Sequence, residues 1–173
     1  MWWMQGNLGG GTMGTYDIAQ ICLNGHVLTT TVNTSPERTA KHCKKCGEAT
    51  ITACPSCNAA IRGFYHIQNV VRMRASYSVP SFCHNCGKPY PWTERKLQAA
   101  EELINELEEI SDVEKKKAID SLPDLMTETP GTELAVSRFK RLYDKVPLSL
   151  KETFRKLVVD ISAEAIKKSM TGM

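Results

Sequence analysis

Apolar side chains recur every three or four residues from position 93 onward, a spacing that places them on one face of an α-helix. Thr93 is expected to cap the first helix, whose apolar positions are Leu97, Ala100, Leu103, Ile104, Leu107 and Ile110. Ser111 and Glu114 fit a capping box for a second helix that stops before Pro123. This part of the chain therefore begins with two predicted amphipathic helices.

Two more helices are predicted towards the C-terminus. Thr132 begins the third, and Pro147 separates it from the fourth. Their apolar stripes are Ala135, Phe139, Leu142 and Val146, followed by Leu150, Phe154, Leu157, Ile161 and Ala165. Four amphipathic helices with short connections predict a small α-helical bundle over residues 93–173.

Residues 15–92 show a different pattern, with short β-like stretches separated by turn residues. Tyr16–Leu23 and His26–Val32 are predicted to pair as a hairpin around Asn24-Gly25, because both residues of an Asn-Gly turn tolerate positive φ. A second β-rich stretch covers residues 60–82. Residues 1–14 are rich in glycine and are expected to form a flexible N-terminal segment.

Seven cysteines and one histidine in the β-like part form four closely spaced pairs. They are Cys22/His26, Cys43/Cys46, Cys54/Cys57 and Cys83/Cys86. A structural zinc ion takes four sulfur or nitrogen ligands in a tetrahedron, and such pairs supply them two at a time. The eight residues predict two structural zinc ions, with no cysteine left over. An odd cysteine count argues against a disulfide framework.

Two pairings of the ligands are open. In the sequential arrangement the first two pairs share one ion and the last two share the other, which gives tandem zinc ribbons. In a cross-brace the first pair joins the third and the second joins the fourth. Only residues 47–53 separate Cys46 from Cys54, and this favours the sequential arrangement. The predicted fold class is a small metal-stabilised α+β protein, a double zinc ribbon at 15–92 followed by the helical bundle.

Composition and charge narrow the function classes. The 173 residues are 42% hydrophobic and 24% charged, and no apolar stretch reaches the roughly 20 residues of a membrane span. With no secretory signal pattern, a cytoplasmic location is expected.

The charge of the β-like part bears on nucleic-acid binding. Eight Lys and Arg residues oppose three acidic residues through Trp92. Seven zinc-bound thiolates would cancel much of this excess, which makes binding to nucleic acid by charge alone less favoured.

The residues also speak against catalysis. Glycines near the N-terminus are not followed by the Gly-Lys-Ser/Thr of a phosphate-binding loop. Cys54-Pro55-Ser56-Cys57 is not followed by a convincing helix, as a redox pair requires. Eight ligands also leave no open zinc position, which a catalytic site needs. We therefore expect a protein that is not an enzyme.

Several of these segments resemble an uncharacterised prokaryotic family, domain of unknown function 2321. The similar segments are 16–26 (YDIAQICLNGH), Cys54–Cys57 with 61–63 (IRG), 82–89 (FCHNCGKP) and 91–93 (PWT). The resemblance covers most of residues 16–173. It implies a prokaryotic double zinc-ribbon protein with a helical tail, and it implies no activity.

Three functions remain as hypotheses. The least favoured is an enzyme that uses Glu48 beside a zinc ion held by three cysteines, which requires that His26 is not a ligand. The most favoured is a non-enzymatic adaptor, in which the helices bind a protein partner or a second copy of the chain. The second is binding of single-stranded RNA or DNA through alternating basic and aromatic residues on the second β-rich stretch. The residues of that candidate surface are Arg62, Phe64, Tyr65, Arg72, Arg74 and Tyr77.

Overall fold

The computed structural model describes residues 14–67, 76–163 and 166–167. The chain divides into two compact units between Cys86 and Gly87. Short strands form the first unit and α-helices form the second, so the fold has the predicted small α+β architecture. Among the described helices, none has both the length and the apolar character needed to cross a membrane. The predicted N-terminal segment lies outside the described residues except for Gly14.

Five short strands make two antiparallel sheets in the first unit. The strands are β1 (Thr15–Ile18), β2 (Gln20–Cys22), β3 (Val27–Thr29), β4 (Thr50–Ile51) and β5 (Arg62–His66). β1 pairs with β5, while β2 lies between β3 and β4 in the other sheet. The predicted Asn24-Gly25 turn is confirmed, because Gly25 has a φ of 85° and connects β2 to β3.

A single strand over Tyr16–Leu23 is a wrong prediction, because the chain changes sheets at Ala19. Ala19 is fully buried, and its N–H donates to the carbonyl of Ile61 at 2.8 Å. The backbone packs closely here: a Cβ on Gly63 would lie 2.2 Å from the carbonyl oxygen of Thr30. Glycine at position 63 therefore allows β5 to approach the neighbouring chain.

The second predicted β-rich stretch, 60–82, is confirmed in part by its described residues. Only Arg62–His66 forms a strand among its described residues. Residues 76–82 have no regular strand, and residues 68–75 are not described. The prediction is therefore confirmed at Arg62–His66 and wrong at residues 76–82, while for residues 68–75 it stays a prediction.

Asp17 is a buried carboxylate where the β1–β5 register shifts. It accepts hydrogen bonds from the N–H groups of Ile18 (2.6 Å), Asn33 (2.8 Å) and Thr34 (3.1 Å), and from the Thr34 hydroxyl. His66 Nε2 lies 3.6 Å from the same carboxylate. Burial acts to raise the pKa of Asp17, but these donors outweigh burial and lower it below its usual value. Asp17 thereby connects β1 to the turn at residues 33–34.

The second unit contains five α-helices among the described residues. They are α1 (Pro91–Asn105), α2 (Asp112–Ile119), α3 (Leu122–Met126), α4 (Thr132–Lys145) and α5 (Leu148–Ile161). The third and fourth predicted helices correspond to α4 and α5. The short helix α3 was missed, because Pro123 was taken as the end of α2, which already ends at Ile119. It occupies the first turn of α3, where its missing N–H costs nothing.

The start of α1 also differs from the prediction. Tyr90, not Thr93, is the N-cap residue, and Pro91 occupies the first turn. Thr93 is buried, and its N–H donates to the Tyr90 carbonyl at 2.9 Å. Leu107 is also buried, but it follows the end of α1. The apolar stripe thus continues past the helix into the connection to α2.

Side chains from all five helices form the core of the second unit. Phe139 on α4 and Phe154 on α5 are fully buried, with ring centroids 6.3 Å apart. Beyond α5, the Ala163 N–H donates to the Leu125 carbonyl on α3 at 2.7 Å. The predicted stripe on α4 is therefore confirmed as buried. On α5, Phe154 and Ile161 are buried and Leu150 and Leu157 are half-buried, while Ala165 lies outside the described residues.

We expect Asp17→Asn to lower the free energy of unfolding by about 2–3 kcal/mol, because hydrogen bonds to a buried carboxylate are lost or reversed in polarity. Urea unfolding at pH 7 and fixed metal content measures the change. Glu37→Gln, which alters an exposed carboxylate, is the matched control and should be near neutral. Equal effects of the two variants would contradict the assigned role of Asp17.

Comparison of the wild type with Asp17→Asn also tests how the contribution of Asp17 to stability depends on pH. A lowered folded-state pKa means that the contribution of Asp17 is complete above the unfolded-state value of about 3.9 and is lost as the pH falls through the folded-state value. The stability difference between wild type and Asp17→Asn should therefore stay constant down to about pH 5 and shrink in more acidic solution. A difference that grows on acidification would contradict the sign.

Candidate metal centres

The eight predicted ligands converge in two groups of four. Centre 1 contains Cys22, His26, Cys43 and Cys46, and centre 2 contains Cys54, Cys57, Cys83 and Cys86. Within each group the sulfur and nitrogen atoms all lie within 4.8 Å of one another. The grouping is sequential, as the short 47–53 interval favours, and not a cross-brace. All seven cysteines are free, so the clusters are not disulfides.

Centre 1 forms where β2 and β3 meet the turn before β4. Cys22 Sγ lies 3.5 Å from His26 Nδ1 and 3.8 Å from Cys46 Sγ, and Cys43 Sγ lies 3.7 Å from His26 Nδ1. The structure thus identifies Nδ1 as the nitrogen of His26 that faces the thiols. Cys22 and Cys43 are buried, whereas Cys46 is exposed.

Centre 2 has four sulfur atoms in a similar arrangement. Cys54 Sγ lies 3.8 Å from Cys86 Sγ, and Cys57 Sγ lies 3.6 Å from Cys83 Sγ. Here too one cysteine of each pair is buried, Cys54 and Cys83. The two centres therefore share one plan, with an inner and an outer ligand contributed by each pair.

The spacing of the donor atoms fits a tetrahedral metal ion. Zinc–thiolate bonds of about 2.3 Å imply sulfur atoms about 3.8 Å apart along the edges of a tetrahedron. With a zinc–nitrogen bond of about 2.0–2.1 Å, the mixed edge is about 3.6 Å. The distances in both centres match these edges, whereas sulfurs in a disulfide are only about 2.0 Å apart. The residues present can therefore hold one metal ion in each centre.

A repeated backbone turn presents the paired cysteines. The Cys43 N–H donates to the Glu48 carbonyl at 2.8 Å, and the Gly47 N–H donates back to the Cys43 carbonyl at 2.7 Å. Gly47 has a φ of +72°, as does Gly87 after Cys86. An added Cβ would meet nothing within 4 Å at either glycine, so the positive φ, and not lack of space, favours glycine there.

The other two pairs use variants of this turn. Cys54 repeats it with Ala59 and Asn58, both hydrogen bonds being 2.8 Å long, and Asn58 has a φ of 59°. Asparagine is the non-glycine residue that best tolerates this conformation. In the first pair the Gly25 N–H donates to the Cys22 carbonyl at 2.8 Å. All four pairs therefore lie beside a residue with positive φ.

The electrostatics of centre 1 favour a bound cation. Burial acts to raise the pKa of Cys43, but the N–H groups of Lys45 and Cys46 and the adjacent thiols lower it to about 6. For Cys22, burial dominates and raises the pKa despite the N–H groups nearby. The lowered pKa of Cys43 favours its thiolate, the form that binds metal ions.

At centre 2, Asn85 donates hydrogen bonds that favour the thiolate form of two cysteines. The N–H groups of Cys86 and Asn85 outweigh burial and lower the pKa of Cys83 to about 6. The Asn85 amide also donates to Cys57 Sγ at 3.6 Å, and with the Ala59 N–H it lowers the pKa of Cys57. Donors of this kind stabilise thiolate ligands. The sequence prediction missed Asn85, although its position inside a Cys-x-x-Cys pair was a usable signal.

Gln20 positions the second ligand pair of centre 1. Its side-chain amide donates to the Ala40 carbonyl and accepts from the Ala40 N–H, both at 3.0 Å, and it donates to Thr50 Oγ1 at 2.9 Å. Since Gln20 is on β2, these bonds attach the segment before Cys43 to the strand that carries Cys22. Nothing in the local sequence indicates this role, because Ala40 is far away along the chain.

The candidate nucleic-acid residues that the structure describes do not all lie on one face. On β5, the Tyr65 ring contacts the Tyr16 ring with centroids 4.7 Å apart and the planes tilted by 49°, and the Arg62 guanidinium lies 4.9 Å from the Tyr16 ring. Phe64 points to the face opposite Tyr65, and its ring contacts His66 with centroids 4.9 Å apart. The sequence prediction missed Tyr16, which joins this group only through the pairing of β1 with β5.

Tyr77, Arg72 and Arg74 are the remaining candidates for the nucleic-acid surface. The Tyr77 hydroxyl donates to the Arg62 carbonyl at 2.8 Å, and burial raises the pKa of Tyr77 to about 12. This tyrosine is thus engaged with the backbone of β5 through its polar end. Arg72 and Arg74 lie outside the described residues, so the structure assigns them no place.

Comparison with known proteins agrees with the resemblance found in the sequence. The model of a family described as "Uncharacterized protein conserved in bacteria", domain of unknown function 2321, matches residues 15–170. The matched range includes both centres and all five helices. Searches of curated proteins and of solved structures found no match.

Two bound metal ions per chain are expected, and Cys54→Ser or His26→Ala should reduce the number to about one by removing one ligand of centre 2 or centre 1. Elemental analysis of the purified full chain measures the metal content. His42→Ala is the matched control, because His42 adjoins Cys43 but belongs to neither group. Loss of metal from His42→Ala with full retention by His26→Ala would contradict the ligand assignment.

Proposed function

This chain belongs to the bacterial family domain of unknown function 2321, and we propose that it is a non-enzymatic interaction protein whose two metal ions are structural zinc. One observation carries the proposal: each centre has four protein ligand atoms grouped at tetrahedral spacing. A catalytic zinc ion keeps a position for water or substrate, whereas a structural ion has four protein ligands. Cysteine and histidine as ligands favour zinc over magnesium or calcium.

The position of His26 supports a structural ion at centre 1 and argues against a catalytic one. A three-cysteine site with an open position would leave Glu48 as a candidate base. His26 Nδ1, however, lies 3.5 Å from Cys22 Sγ and 3.7 Å from Cys43 Sγ, where a fourth ligand belongs. The zinc ions then stabilise the packing of the short strands, and a partner protein is bound by surface side chains.

Binding of a partner by the helical unit is the second part of the proposal. Single exposed apolar residues are common, but Leu134 and Leu148 are 53% and 88% exposed on neighbouring helices α4 and α5. Each lies in the first turn of its helix, and each offers an apolar side chain that another protein or a second copy of the chain could cover. In this role the protein is an adaptor with a zinc-stabilised β unit.

We expect the full zinc-loaded chain to form a defined complex, either a homodimer or a one-to-one assembly with a host protein. Light scattering detects a homodimer directly. Otherwise, affinity purification from the native host identifies retained proteins, and each is then purified and mixed with the chain for a second light-scattering measurement. Blank resin is the control. A monomer that retains no host protein and assembles with none would contradict the adaptor function.

A second candidate function, binding of single-stranded nucleic acid, is favoured by one observation. Tyr16 is 52% exposed, and its ring contacts Tyr65 and Arg62 as described above. Exposed aromatic rings beside arginine can stack on bases and contact phosphates. The same contacts also stabilise the β1–β5 pair, which makes this function second to the adaptor.

If the second function holds, Tyr16→Ala should weaken binding of a labelled oligouridine or oligothymidine about 5- to 100-fold, the usual loss for one stacked base. Tyr16→Phe keeps the ring and should retain near wild-type affinity. Fluorescence anisotropy at low and moderate salt measures both variants. Absence of binding at low salt, or equal binding by Tyr16→Ala and wild type, would exclude this surface.

A further inference from the structure

A groove of about 370 Å³ lies between α2 and α4 in the helical unit. We propose that this groove binds an acidic amphipathic helix of a partner protein, with apolar side chains on its floor and carboxylates against its basic rim. The inference deepens the adaptor function proposed above and rests on it, because it names the surface and the chemistry of the partner.

The rim of the groove is strongly basic. Its cations are Lys117 on α2 and Arg138, Arg141 and Lys145 on α4. Among the described residues that line the groove, Glu114 is the one carboxylate, and it pairs with Lys145 at 2.5 Å. This ion pair neutralises one cation and leaves three in excess. A partner with carboxylates is thus favoured by charge.

Arg138 is held in place by a neutral partner. Its Nη1 donates to Ser121 Oγ at 2.6 Å, and the Ser121 hydroxyl donates to the Lys117 carbonyl at 2.7 Å. A hydroxyl does not cancel the charge of the guanidinium, so Arg138 keeps a positive charge at the groove. The chain of hydrogen bonds also connects α4 with the end of α2, and it preorganises one cation for binding.

Apolar side chains lie among these cations. Leu134 on the first turn of α4 is 53% exposed, and Ala118 and Leu142 form the buried floor. A purely anionic ligand would gain nothing from Leu134, whereas an amphipathic segment would cover it. The mixture of apolar floor and basic rim therefore favours an acidic peptide over a nucleic acid.

The length of the groove suits a helix. Lining residues extend along α4 from Leu134 to Lys145, a distance of about 16 Å at 1.5 Å per residue, or about three helical turns. Partner helices in such grooves insert apolar side chains at positions i, i+3 or i+4, and i+7. A segment of three turns with leucines at this spacing and glutamates elsewhere fits both the length and the charge.

The test uses the full zinc-loaded chain and a fluorescein-labelled synthetic helix of that Leu/Glu pattern. Fluorescence anisotropy should show saturable, salt-sensitive binding with micromolar affinity. Lys117→Glu combined with Arg141→Glu should weaken it by at least about tenfold, because both rim charges are reversed. Leu134→Ser should also weaken it, and a peptide of the same composition with its leucines scattered around the helix should bind less tightly than the patterned one.

Lys116→Glu combined with Lys140→Glu is the matched control. Both lysines are exposed on the same two helices and do not line the groove. Circular dichroism checks that every variant remains folded. Wild-type affinity of the control pair supports a localised site, while equal loss in both pairs would mean diffuse electrostatic attraction and would overturn the proposal.

Other outcomes separate this inference from the function on which it rests. If a host partner is found but the Lys117→Glu/Arg141→Glu chain still binds it fully, the groove inference is overturned and the adaptor function stands. If the chain is a homodimer that the groove variant dissociates, the occupant is a second copy, which also overturns the partner assignment. A labelled oligonucleotide that displaces the peptide from the groove and binds more tightly would overturn it in favour of nucleic acid.

Discussion

The convergence of four ligand atoms at each metal centre is the constraint on which the strand-bearing unit depends. Its strands are only two to five residues long, too short to be stable through pairing alone. Each centre brings together two turns that are separated by at least sixteen residues, as between His26 and Cys43. Bringing such turns together costs loop-closure entropy, and a metal ion bound by all four ligands would offset that cost.

Hydrogen bonds from buried polar side chains also attach distant segments of the strand-bearing unit to its strands. Gln20 attaches the segment before Cys43 to β2, and Asp17 attaches the turn at 33–34 to β1. Both residues are buried and hydrogen-bonded, so neither leaves a polar group without a partner in the interior. The strand-bearing unit is therefore stabilised more by directional bonds than by a large apolar core. The helical unit is the reverse case, since aromatic and aliphatic side chains fill its interior.

The two units also differ in how their charges are distributed. Metal-bound thiolates would cancel much of the positive charge in the first unit, which leaves it a weak site for a polyanion except at the Tyr16 and Arg62 pair. The helical unit keeps a concentrated set of cations around an apolar groove between α2 and α4. Recognition of an acidic protein segment is therefore more consistent with the charge distribution than recognition of nucleic acid.

The sequence by itself determined the metal-ligand pairs, their turns and the helices with long apolar stripes, because these features depend on residues close together along the chain. It did not determine the exchange of sheets at Ala19, the start of α1 or the helix around Pro123, where packing and backbone hydrogen bonds override local pattern. The short 47–53 interval favoured the sequential grouping of the ligands, but only the tertiary structure set the distances between the ligand atoms, brought Tyr16 to Tyr65 and placed cations from α2 and α4 along one groove. Those arrangements join segments that are distant along the chain, and local residue pattern does not fix the geometry between such segments.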